Sequence, residues 1–396
     1  MGFIKKYSFL LWVILFISCV EPVEPEFDLI TGIITVEGVI SNEEGSSFVK
    51  IQESELGLVF GLYKNMAING ANISFVNTNT SEVVRLTENF SPSINLSQEE
   101  NEAGIYLPPK GFVASVGDTW ELDIKLPDGR HYKSFPETIK EPVAIEEIDA
   151  EFIQELEYST EWEQFFSGHT INVSFNDPAD EKNYYYWNFK SFEPKVICLI
   201  CRNSYFREGY CNDFDGYFPR PNGPDPFFIS YLCETDCWRI RYNQKIEILD
   251  DEFINGSRVS QIPVASVLLH SKKDILIKLR QFSLSKPAYD YYNVLKDIID
   301  NNSGFNAPPP AALVGNMFNV KNNDEYVLGR FTAAATSKAT IFLKREALQG
   351  FIVEFPMESD PENESQGDPP GLPPVYYYPC EETFYSTAIK PEGWPD

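Results

Sequence analysis

The sequence predicts a mainly β protein: two β-sandwich-like domains in tandem, the second with one α-helix and a cysteine-rich insertion. Three observations predict it. Short segments with period-2 apolar alternation recur along the chain, separated by Gly, Pro, Asn and Asp turn signals. Phe (30) and Tyr (21) are abundant while Met (4) and His (3) are scarce, which suits pleated, half-buried surfaces. The length of 396 residues is enough for two cores at about 150 residues each.

At the start, Lys5 and Lys6 form a basic region and Phe9 to Ile17 an apolar one. That run is too short to span a bilayer, which takes roughly 20 apolar residues. It ends in "FISCVEPVEPE", where Leu15, Phe16, Ile17 and Ser18 precede Cys19. The arrangement resembles a bacterial lipoprotein signal, with Phe16 standing where Leu is usual. Residues 1–18 are then removed and Cys19 becomes the acylated N-terminus; the alternative is an ordinary export signal with an incidental cysteine. Several acyl chains on one residue anchor stably, because each buried methylene adds roughly 0.8 kcal/mol. Residues 19–30 read as an acidic, Pro-containing tether: Pro22 and Pro25 remove backbone donors, and Glu21, Glu24, Glu26 and Asp28 repel one another. Acidic residues directly after a lipidated cysteine resemble the signal that sends lipoproteins to the cell surface; a solvated linker is the alternative.

Residues 31–137 are expected to form the first sandwich. Strands are predicted at Ile33 to Ile40, Ser47 to Ser54, Ala71 to Thr78 and Glu82 to Glu88, then at "GIYLPP" and across "TWELDIKLPDGRHYKS". In the last segment Trp120, Leu122, Ile124 and Leu126 share one face, and Asp128-Gly129 supplies a hairpin turn. The Gly-containing alternation resembles a prealbumin-type sandwich, a fold that usually acts as a spacer or binding platform. "PETIKEPVAIEEID" (Pro136 to Asp149) reads as a linker, with two prolines and six charges.

Residues 138–355 are expected to form the second β-rich domain. Strands are predicted at Thr170 to Pro178, Asn183 to Phe192 and within Ser266 to Leu284, with two or three more across "GNMFNV" and "EYVLGRFTAAATSKATIFLKRE". One helix is predicted in "SKPAYDYYNVLKDIIDNNSG": Ser285 caps it, Pro287 sits in the first turn and Gly304 ends it. Its apolar face is Ala288, Tyr291, Leu295, Ile298 and Ile299. Residues 193–240 form the cysteine-rich insertion, and residues 356–396, with nine prolines, a Pro-rich extended tail held by contacts to the body.

Beyond Cys19 there are six cysteines: Cys198, Cys201, Cys211, Cys233, Cys237 and Cys380. An even count in an exported chain predicts structural disulfides, with Cys380 pinning the tail. Cys198-x2-Cys201 and Cys233-x3-Cys237 also have the spacing of a four-thiolate zinc site, and "CLIC" that of a redox pair, although no βαβ context surrounds it. "NDFDG" places Asp213, Asp215 and Gly216 in partial register with a calcium loop, whose first and twelfth positions would be Cys211 and Asn222. A polar turn is the alternative there, and no cofactor is expected overall.

The net charge of −27 provides no electrostatic footprint for nucleic acid. There is no Gly-x-Ser-x-Gly elbow and no His-Glu-x-x-His motif, and the three histidines (His131, His169, His270) lack triad or metal spacing. Carboxylates are too numerous (59) for a catalytic pair to be singled out. The aromatic run Tyr184, Tyr185, Tyr186 and Trp187 is expected to give half its side chains to the core and half to an exposed face.

One ordered set of segments resembles a known family: "VEGVI", "NGANISF", "AGIY", "GDTWELDIKLPDGRHYKS", "NDPADEKNYYYW", the cysteines at 233 and 237 with Trp238, "FSLSKPAYDYYNVL", "PPPAALVGNMFNV" and "EYVLGRFTAAA". It is that of lipoproteins catalogued as domain of unknown function 4249. The resemblance implies a Bacteroidota outer-membrane lipoprotein, lipid-anchored and facing the cell exterior, with a SusC-like TonB-dependent transporter as partner. It brings no catalytic residue. The expected function is a non-enzymatic accessory that binds the importer's ligand or caps its mouth. The alternatives are an extracellular polymer-degrading hydrolase and a structural or adhesive surface module.

Overall fold

The computed structural model describes residues 32–56, 63–89, 104–160, 162–179, 181–195, 197–202, 204–207, 210–213, 229–234, 237–243, 245–301, 313–322, 324–353, 376–377, 380, 382 and 385–395. The signal, Cys19 and the tether lie outside them, as do Asp215 and Gly304. The first stretch forms β1 (Ile34–Ser41), β2 (Phe48–Leu56), β3 (Tyr63–Ala67), β4 (Asn72–Asn77), β5 (Val83–Arg85), β6 (Thr87–Glu88), β7 (Ile105–Leu107), β8 (Thr119–Lys125), β9 (His131–Ser134) and β10 (Glu137–Thr138). There follow β11 (Ile145–Ser159), β12 (Gln164–Asn176) and β13 (Tyr184–Pro194), then β14 (Ile197–Arg202), β15 (Ser204–Arg207), β16 (Tyr210–Asp213) and β17 (Ile229–Glu234) of the cysteine-rich insertion. The remainder comprises β18 (Trp238–Tyr242), β19 (Glu247–Asp250), β20 (Arg258–Leu268), β21 (Ile275–Ser283), helix α1 (Lys286–Asn301), β22 (Met317–Asn319), β23 (Val327–Leu343), β24 (Tyr376–Tyr377) and β25 (Ser386–Thr387). The fold is mainly β, with one helix among the described residues, as the alternation predicts.

Two sandwiches share one wall. An eleven-stranded sheet runs β25-β18-β13-β21-β23-β1-β2-β7-β6, with β19 beside β13 and β3 beside β2. The six-stranded sheet β22-β9-β8-β4-β5, with β10 beside β8, packs on one half of that wall, and the three-stranded sheet β11-β12-β20 packs on the other. The join is β23. Its first half pairs in parallel with β1, from Ile34↔Val327 to Ser41↔Ala334, and its second half pairs antiparallel with β21, from Ser283↔Ala335 to Ile275↔Leu343. β22 adds to β9 of the first sandwich as well. Residues from both sides of the expected boundary at 137 and 138 therefore build the first core.

The alternation in the sequence accounts for each core. Ile34, Val36 and Ile40 of β1 face Phe75 of β4, Trp120 and Leu122 of β8, and Phe331 of β23, all buried; each such side chain contributes roughly 1.5–3 kcal/mol. Gly38 leaves room for Phe331, since a Cβ there would lie 3.1 Å from its ring and from Leu122. Gly329 is required outright: its φ is +95° and a Cβ would collide with the Val36 carbonyl. The Asp128-Gly129 hairpin forms as predicted. The Gly129 amide donates to the Leu126 carbonyl (3.0 Å) and the Leu126 amide to that of Arg130 (2.9 Å), with Gly129 at φ +91°.

Two expectations need correction. The stretch read as a linker up to Asp149 runs into β11, a 15-residue edge strand whose Ile145, Ile148 and Ala150 pack on the second core. Its remaining acidic side chains point to water and discourage pairing with another chain, so an edge strand takes on the composition of a linker. Helix α1 starts as predicted, with the Ala288 amide donating to Ser285 Oγ (3.3 Å). Its packed side, however, is Ala288, Tyr289 and Tyr292, and Ile299 is half-exposed.

Candidate functional site

Where the crossover after β9 meets the start of α1 and the entry to β22, a cleft of about 470 Å³ opens. Phe135, Pro287, Tyr291, Val294, Leu313 and Val314 form apolar walls, and Glu137, Asn316 and Arg330 lie beneath them. Glu137 and Arg330 are 6% and 5% exposed. Arg330 Nη2 donates to Glu137 Oε1, and Ser285 Oγ donates to Glu137 Oε2 (2.7 Å). Asn316 grips β23 from both sides: its Nδ2 donates to the Phe331 carbonyl (2.8 Å), and its Oδ1 accepts from the Phe331 amide (2.9 Å).

One carboxylate thus ties the crossover, the helix cap and the joining strand together. Burial raises the Glu137 carboxyl above its ordinary pKa, and Arg330, Ser285 and Asn316 offset only part of that rise. Both of its oxygens are engaged, which makes it an anchor for the ion pair rather than a proton donor to a ligand. Asp290 also lines the cleft and is held by Lys286 at 2.6 Å. Arg330 Nε is buried with no hydrogen-bond partner among the described residues. Apolar walls over a buried, paired charge suit a ligand with a largely apolar body. The sequence reading passed over both residues: Glu137 lay among the apparent linker charges, and Arg330 sat inside "YVLGRF". The available signal was a single charge in the first half of β23, which has no other from Val327 to Ser337.

The predicted cysteines divide into two groups. Cys237 and Cys380 form a disulfide with Cα atoms 5.7 Å apart, which pins the tail beside β18. This takes Cys237 out of the four-thiolate zinc arrangement. Cys198 and Cys201 lie on β14, Cys211 on β16 and Cys233 on β17, and the register places Cys198 directly opposite Cys233. Cys211 to Asp213 of the proposed calcium loop end β16, and its residues 214–222 fall outside the described residues. Among the described residues no group of three or more His, Cys, Asp or Glu is placed to hold a metal.

The three histidines sit in different surroundings. His131 Nε2 meets Asp123 Oδ2 at 3.0 Å in the first sandwich. His169 is buried edge-on against Phe152 (5.4 Å between ring centres), and burial with Arg345 nearby lowers its pKa to about 4. Burial, then Arg241, Arg345 and Arg239, pushes His270 down to about 3. The aromatic run alternates as expected, Tyr185 and Trp187 entering the second core. Its other half is covered rather than exposed: Tyr184 packs on Tyr289 and Tyr186 stacks on Tyr292 of α1 (5.0 and 4.9 Å).

Comparison with known proteins adds one finding. A family model described as "Domain of unknown function (DUF4249)" matches residues 20–340. No curated protein and no solved structure matches the chain.

Proposed function

The chain belongs to the family described as domain of unknown function (DUF4249), and on that premise we propose that it is a non-enzymatic lipoprotein of the outer membrane, held through acylated Cys19, that serves a SusC-like TonB-dependent importer by binding its ligand or capping its mouth. The observation that carries this reading is the N-terminal order of Lys5-Lys6, the apolar run to Ile17 and then Cys19. The acidic tether after Cys19 supports a body facing the cell exterior. In this proposal the lipid on Cys19 is the anchor; among the described residues no helix is long and apolar enough to cross a membrane. The junction cleft, with its apolar walls over a buried ion pair, is where a ligand would sit.

The test is gentle solubilisation of outer membranes, capture of the full-length protein through a C-terminal tag, and identification of what co-purifies, with Cys19→Ala as control. A TonB-dependent barrel recovered with the wild type and depleted with Cys19→Ala is the expected result. A wild-type protein that is membrane-bound but recovered alone would overturn the importer role. A Cys19→Ala form that still fractionates with membranes would overturn the anchor.

A further inference from the structure

On the outer side of the eleven-stranded sheet, between helix α1 and the C-terminal tail, four cations sit in two adjacent cross-strand pairs: Lys190 of β13 opposite Lys278 of β21, and Arg280 of β21 opposite Lys338 of β23. Their neighbours along each strand, Phe189, Ile277 and Leu279, point the other way into the second core. Like charges directly opposite each other destabilise a sheet. In a chain with 59 acidic and 32 basic side chains, such a grouping runs against the overall composition.

Few acids offset it. Among the described residues, Glu43 from the β1–β2 turn lies 2.9 Å from Arg280 and 3.7 Å from Lys338, and the exposed Glu392 of the tail lies 3.8 Å from Lys278. Lys190 and Lys278 instead extend over the Phe192 ring, at 6.0 and 5.9 Å from its centre. The patch is recessed. At one end Tyr186 and Phe282 pass under α1, and at the other Trp394 packs on Phe342 and Trp238. Along one side the β1–β2 turn is fastened to β23, where the Thr336 amide donates to Asn42 Oδ1 (2.7 Å).

We infer that this open cationic face is a binding site for a ligand carrying two or more closely spaced oxyanion groups, whether carboxylate, sulfate or phosphate. Such a ligand would place its charges between Lys190 and Lys278, which face each other with only the exposed Glu392 paired to either among the described residues, and Phe192 floors the recess beside them. Lys190 already shows the crowding: burial, with Arg280 and Lys278, pulls its ammonium down to about 8. The site is separate from the junction cleft and does not depend on the lipoprotein reading.

The experiment is calorimetric titration of the full-length protein at low ionic strength with inorganic pyrophosphate, with a sulfated oligosaccharide and with the same oligosaccharide unsulfated. Thermal unfolding without any ligand is measured alongside. Wild type is compared with Lys278→Gln and with a Lys190→Gln/Lys278→Gln double variant. At least one anionic probe should bind wild type with a Kd of about 1 mM or tighter, and the double variant should lose roughly tenfold or more. Both variants should keep or raise the unliganded Tm, because repulsion is relieved. Binding of pyrophosphate supports the site with a small free anion as ligand, and binding of the sulfated oligosaccharide alone supports it with a polymer segment as ligand. The proposal is overturned if neither anion binds, if the unsulfated sugar binds equally well, if the double variant binds as tightly as wild type, or if the variants lower the unliganded Tm.

Discussion

The outer side of the eleven-stranded sheet carries two neighbouring surfaces built from the same strands. Under α1, β13 and β21 present Tyr184, Tyr186 and Phe282, which meet Tyr289 and Tyr292 of the helix; Tyr186 and Tyr292 stack 3° from parallel. A few residues along, the same outward positions become Lys190, Lys278 and Arg280, and among the described residues no helix covers them. The period of two fixes which side of the sheet a residue faces, but what lies above it decides whether that residue is aromatic or charged. The covered stretch gains burial plus roughly 0.5–1.5 kcal/mol for each well-placed aromatic pair. The open stretch gives up stability for exposed donors.

The comparison breaks most readily where the covered side is anchored. Arg330→Met would leave Glu137 as an uncompensated buried carboxylate under the start of α1, at an expected cost of about 3–5 kcal/mol in chemical denaturation. Adding Glu137→Gln should recover much of that loss, since the partner charge then goes too. A single-variant loss below about 1 kcal/mol would mean that the pair does not hold the junction. On the opposite border, a Cys237→Ser/Cys380→Ser form removes a link across 143 residues of sequence, with an expected loss of about 2–4 kcal/mol. Tryptophan fluorescence should shift red as Trp394 leaves Phe342 and Trp238. Smaller again, Tyr292→Ala deletes the stack on Tyr186 and a hydrogen bond with the Thr332 hydroxyl (3.2 Å), at about 2 kcal/mol. Protection from hydrogen exchange should fall in α1 and at the Tyr186 end of β13, and remain unchanged around Lys190.

These sites differ in how much the sequence disclosed. Alternation places β1, β2, β4, β8, β9 and β13 within a residue or two, because a side chain's face is a local property, whereas the one stretch from Ser266 to Leu284 spans the end of β20 and all of β21. It marks β23 as strand too. It does not reveal that the strand leaves β1 at Ala334 and joins β21 at Ala335, because pairing across so long a separation leaves no local trace. Edge position hid β11, whose acidic face looks like a linker. The Tyr184 to Trp187 run was legible as alternating and illegible as sealed, since its cover arrives from a helix about a hundred residues later. The Glu137–Arg330 pair escaped for the same reason, each partner being unremarkable in its own segment.

The gentlest test lies on the open side and reads its cost directly. The Lys190 pKa falls from the ordinary 10.5 to about 8, through burial first and then Arg280 and Lys278, with Glu43 opposing. Between those two values the unfolded chain holds a proton that the folded chain has released, so stability should rise with pH across about 8 to 10.5. Below about 8 the ammonium is charged in both states and the penalty is present in full. Lys190→Met should raise stability near pH 7 by roughly 0.2–1 kcal/mol and remove that share of the rise. Lys338→Gln serves as the reference: its side chain is 69% exposed, so relief there should stay within about 0.5 kcal/mol. Equal effects at the two positions would mean that the repulsion is spread over the face, and the open stretch would then cost no more than any exposed sheet. A larger effect at Lys190 would locate the cost at the most enclosed cation, where an anion arriving between the strands would have the most to offset.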